Sequence, residues 1–90
     1  MQNEVRRDIK SVILLLATQG MINLGEINDP VSNEMTLNLE GAELFIELLE
    51  VLAEKTKGNL TPDEQGFLND ILTNIKQVYA KKLNTQPNRG

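Results

Sequence analysis

The chain has 90 residues, 40% of them hydrophobic and 24% charged, with a formal net charge of -4 and neither cysteine nor histidine. That length supports one domain, and the acidic balance argues against nucleic acid, whose phosphates are held by clustered Lys and Arg. The missing residue types remove disulfides, thiol catalysis, the commonest general base and the commonest transition-metal ligand.

The first helix is expected from about Asn3 or Glu4 to Leu24, with Val5, Ile9, Val12, Ile13, Leu16, Ala17 and Leu24 recurring at helical spacing and Gly25 stopping it. Leu14, Leu15, Met21 and Ile22 extend the apolar surface beyond that stripe. A helix apolar nearly all round needs burial on two sides, which so short a chain hardly provides by itself. Val12, Leu14, Leu15, Leu16, Met21 and Ile22 are therefore the candidate interface residues, with a homodimer expected and an unidentified protein partner beyond it. Arg6, Arg7 and Lys10 precede the run Val12 to Ala17, but six apolar residues are too few for a signal core or a membrane span. The reading is a soluble cytoplasmic protein. The same basic flank also fits a helix lying on a membrane surface, a third-ranked reading, and no membrane partner is expected.

Residues 26–37 carry Asn-Asp-Pro and Ser-Asn turn signals and read as a loop. Its flanks, Ile27 and Met35 to Leu37, are able to pair as a very short β-hairpin, though an isolated ribbon is marginal. The second helix is expected from an Asn38 cap to Lys57, with Ala42, Phe45, Leu48, Leu49 and Leu52 on one face and Leu44, Ile46 and Val51 toward its sides. Next, Gly58 offers the left-handed conformation at which helices end, and Lys55 and Lys57 place positive charge beside the last carbonyls. Thr61 caps the third helix, with Pro62 at its first position and Glu64 closing a capping box. That helix runs from Pro62 to about Leu83, its stripe made by Phe67, Leu68, Ile71, Leu72, Ile75, Val78 and Tyr79. The fold class is all-α: a three-helix domain over residues 1–83 in which helices 2 and 3 form an antiparallel hairpin, followed by a polar flexible tail, 84–90.

Chemistry is harder to find. Glu40, Glu43, Glu47, Glu50 and Glu54 make one acidic stripe along the second helix. Inward-pointing glutamates hold metals in helical bundles, usually beside a histidine three residues on, and this chain has none. The stripe reads as a solvated face, and a small metal-dependent or carboxylate-based enzyme is the runner-up. Lys55-Thr56-Lys57-Gly58 has the wrong order for a phosphate loop, which needs its glycines ahead of the lysine. Asn28, Asp29, Ser32, Asn33 and Glu34 lack the acidic alternation of a calcium loop, so turn chemistry explains them. Ser11, Thr18, Thr56 and Thr73 have no histidine to activate them. No catalytic, cofactor-binding or metal-binding residue is expected.

Ala17-Thr18-Gln19, Leu24-Gly25-Glu26-Ile27 with Asp29-Pro30, Asn38-Leu39-Glu40, Leu48-Leu49-Glu50 and above all the run Glu54 to Thr61 resemble the family known as domain of unknown function 1844. The resemblance spans roughly Val12 to Tyr79. It implies a compact helical protein found in bacteria, and carries no activity, substrate or cofactor. One departure concerns an arginine that the family pattern places three residues before a tyrosine: Lys76 stands there, before Tyr79, keeping the charge without the bidentate fork.

Overall fold

The computed structural model describes residues 8–85, which form α1 (Ile9–Asn23), α2 (Leu39–Lys55) and α3 (Pro62–Asn84). Asp8 sets the start of α1: it is extended, at φ -123°, and its carboxylate accepts from the Ser11 amide at 3.1 Å. α1 therefore starts at Ile9 and the helix expected from Asn3 or Glu4 does not run continuously through Asp8, because an N-cap residue with extended backbone lies outside the helix it caps. Residues 1–7, and residues 86–90 of the expected tail, lie outside the described residues.

Local chemistry explains the other ends. Gly25 follows α1 at φ +77° and Gly58 follows α2 at φ +83°, both in the left-handed region. Asn38 accepts from the Gly41 amide at 3.0 Å and opens α2. The expected capping box opens α3: the Glu64 amide donates to Thr61 at 3.1 Å, and the Thr61 amide donates to Glu64 at 2.9 Å. Gly66 sits in the first turns of α3 with nothing within 4 Å of where a Cβ would lie. Gly66→Ala should therefore raise stability by about 0.5–1 kcal/mol, by restricting the unfolded chain and favouring the helix. Urea melts would show it as a higher midpoint at unchanged slope; a lower midpoint would contradict the open space.

The helices pack pairwise around one core. α1 runs antiparallel to α2: the Asn38 amide donates to the Asn23 carbonyl at 2.7 Å, and Gly20 lies against Phe45. α2 and α3 form the expected antiparallel hairpin, so α3 is parallel to α1. Gly20 faces Ile75, and Lys10 near the start of α1 bonds Asp63 at the start of α3. Ile13, Ala17 and Leu24, then Ala42, Ile46 and Leu49, then Leu68 and Ile75, supply the buried cluster. Burial of such side chains is the main stabilising term, each contributing roughly 1.5–3 kcal/mol for the larger ones.

The short β-hairpin does not form; the described residues contain no strand. Instead the loop between α1 and α2 folds on itself. The Asp29 carboxylate accepts from the Val31 amide at 2.8 Å, the Asp29 carbonyl accepts from the Asn33 amide, and the Asp29 amide donates to Glu34 at 2.9 Å. Asn33 takes φ +61° to allow this. Turn bonds centred on one aspartate satisfy the backbone that a ladder would have used.

Candidate self-association surface

Helix geometry separates the six candidate interface residues of α1 into three groups. Ile13, Ala17 and Gly20 define the buried face. Leu14 and Met21 lie on the flank toward α3, where with Thr18, Ile27, Ile71 and Asn74 they line a shallow groove. Val12 and Leu16 lie on the opposite flank, toward α2, and Leu15 projects away from the core beside them. Leu15 is the most open of the six at 61% exposure, Leu14 and Val12 are also exposed, and Leu16 and Met21 are half-buried. Ile22 is buried at 8% exposure within the chain itself and has no surface to offer a partner.

A second apolar strip adjoins the α2 flank of α1. Leu44, Leu48 and Val51 recur at spacings of four and three on α2, and all three are exposed. They are nearly opposite the buried face made by Ala42, Ile46 and Leu49. Sequence periodicity assigned Leu48 to the core face and Ile46 to a side; the structure reverses them, with Ile46 at 7% exposure and Leu48 at 39%. Gly20 against Phe45 and Asn23 against Gly41 set the antiparallel register. One turn further, Leu16 comes level with Leu48, so the exposed strips of α1 and α2 are neighbours.

Charged groups surround this surface without converging on a point. Glu40, Glu43, Glu47, Glu50 and Glu54 are all exposed, and Glu50 pairs with Lys76 of α3 at 2.5 Å. Among the described residues no three acidic side chains gather where they could hold a metal ion. Lys10, which the sequence placed only in a basic flank, has a defined role: it pairs with Asp63 and lies 5.5 Å above the Phe67 ring, joining the starts of α1 and α3. Lys82 pairs with Glu26 at 2.9 Å and ties the end of α3 to the loop after α1. Such exposed pairs add little stability, roughly 0–1 kcal/mol each.

The geometry defines a small all-α domain of three packed helices whose distinguishing feature is apolar surface left outside its own core. No described helix is long and apolar enough to cross a membrane. Residues 6–81 match the model of the family described as domain of unknown function (DUF1844), and the chain belongs to that family. No curated protein and no solved structure matches the chain.

Proposed function

We propose that this chain is a structural or protein-interaction module that associates with a second copy through α1, forming a homodimer that presents its remaining surface to another protein. The observation that carries this reading is Leu15, 61% exposed on a helix whose core face is already filled by Ile13, Ala17 and Gly20. Val12 and Leu14 leave further aliphatic surface in water on the same helix. Removing such area from water supplies roughly 25 cal/mol per Å², and contiguous exposed apolar patches on small domains mark contact sites. The glutamates of α2 support the same reading, because they are solvated and carry no converging site.

Light scattering on the purified chain at micromolar concentration is the test. A dimer mass is expected, and Leu15→Glu should shift the equilibrium toward monomer by at least roughly tenfold, since it places a charge in an apolar contact. Helical circular dichroism should be unchanged, because Leu15 is outside the core. A monomer at every concentration would refute the proposal.

A further inference from the structure

We infer that the two copies meet through an antiparallel α2 to α2 seam, in which the apolar strip of one copy packs on that of the other and Glu40 of each meets Lys55 of its partner copy. This inference rests on the self-association proposed above and names the surface that α1 adjoins.

The positions on α2 carry the argument. Glu40, Leu44, Leu48, Val51 and Lys55 recur at spacings of four, four, three and four, so they lie along one side of the helix. All five are exposed, and among the described residues neither Glu40 nor Lys55 enters an ion pair. The strip is thus acidic at one end, aliphatic in the middle and basic at the other end. It spans about 22 Å at the rise of an α-helix.

Two-fold symmetry selects one pairing of such a strip with itself. In an antiparallel pair, any two positions equidistant from the axis face one another. Leu44 with Val51, and Glu40 with Lys55, are centred on the same point, between Glu47 and Leu48. A single axis there brings Leu44 onto Val51 of the second copy and both charge pairs into register, and leaves Leu48 one residue, about 1.5 Å along the helix, from its own counterpart across the axis. The parallel arrangement would set Glu40 against Glu40 and Lys55 against Lys55. Like charges are disfavoured, so the strip specifies its own antiparallel partner.

Leu16 and Val12 of α1, with Leu15 beside them, flank the seam on one side, because Leu16 is level with Leu48, so the α1 surface proposed above belongs to the same contact. The glutamates at 43, 47 and 54 fall on the other side, where they remain in water. Two α1–α2 hairpins would then enclose a four-helix arrangement with α3 outside it. Apolar contact provides the affinity in this geometry, and the charges set direction and register.

Charge reversal tests the seam. Glu40→Lys and Lys55→Glu should each weaken self-association roughly tenfold, as two attractive pairs become two repulsive ones. Both substitutions also oppose the dipole of α2 and lower helix stability slightly, whichever partner is present. An equimolar mixture separates the two effects: one chain then carries Lys at both positions and the other Glu at both, so both pairs are restored in the mixed dimer. Native mass spectrometry of the mixture, with one chain isotopically labelled, should show the mixed dimer well above the statistical half of all dimers. Statistical mixing, with single variants as dimeric as the parent, would overturn the α2 seam while leaving self-association standing. A parent chain that is monomeric at every concentration would overturn both.

Discussion

Leu49→Ala is expected to cost about 2–5 kcal/mol, the range for truncating a fully buried leucine in a core that cannot collapse around the gap. Leu49 is 0% exposed at the middle of α2, within the cluster that also contains Ile13, Ala42 and Leu68. The loss combines the transfer of the removed carbons with the contacts that the surrounding atoms forfeit. A domain of this size has roughly 5–15 kcal/mol in total, and each kcal/mol moves the midpoint by about 4–8 °C. Thermal melts by circular dichroism should therefore fall by about 10 °C or more, and a fraction of molecules should be unfolded at ordinary temperature. Protein concentration must be matched, because dimerisation stabilises the folded chain by mass action. A fall of only 1 or 2 °C would mean that Leu49 is not enclosed by the three helices.

Gly25→Ala should be the most damaging of the glycine substitutions at helix ends, and Gly58→Ala is its control. Both residues are in the left-handed region, at φ +77° and +83°. An alanine there costs about 1–2 kcal/mol relative to glycine. At Gly58 nothing lies within 4 Å of the added Cβ, so backbone strain is the whole effect. At Gly25 the Thr36 carbonyl oxygen would be 2.9 Å from it, closer than a methyl group tolerates. Relief requires moving the backbone of the loop that returns to Asn38, whose amide is tied to the Asn23 carbonyl. About 2–4 kcal/mol is expected in total, the added part being the crowding term. Urea titrations of the two variants should differ by at least about 1 kcal/mol; equal costs would show that the loop gives way freely at Thr36.

The two glycines also show how far local chemistry was legible. The joint from Lys55 to Glu64 was readable because stop, turn and cap signals act within a few residues and need no distant partner. Asp8 was missed as a cap although it stands three residues before Ser11, whose amide it accepts; apolar periodicity upstream drew the helix past it. The expected hairpin at Ile27 and Met35 failed for a related reason. Asp29 can satisfy three loop contacts by itself, so no ladder was needed.

The candidate surface was half legible. Excess aliphatic residues on α1 were visible as composition, and Leu14 and Leu15 are indeed exposed. Ile22, equally apolar and on the same helix, is buried within its own chain, and no spacing rule distinguishes it from Leu15, which lies two turns earlier on the same side. The strip Leu44, Leu48 and Val51 was hidden for a different reason. With apolar residues around most of α2, periodicity supports two nearly opposite faces, and only packing into the shared cluster with Ile13, Leu68 and Ile75 selects the one containing Ile46.

What the amino-acid order determined alone is therefore the helical class, the starts of α2 and α3, the hairpin between them and the family to which the chain belongs, while α2 ends at Lys55, two residues short of the expected Lys57. These follow from hydrogen bonds and dihedral preferences spanning four or five residues. Which apolar side chains enter the core and which stay in water was decided only when three helices competed for one another's surfaces. That choice depends on contacts between residues far apart in the chain, such as Gly20 with Phe45 and Ile75, and no local pattern contains it.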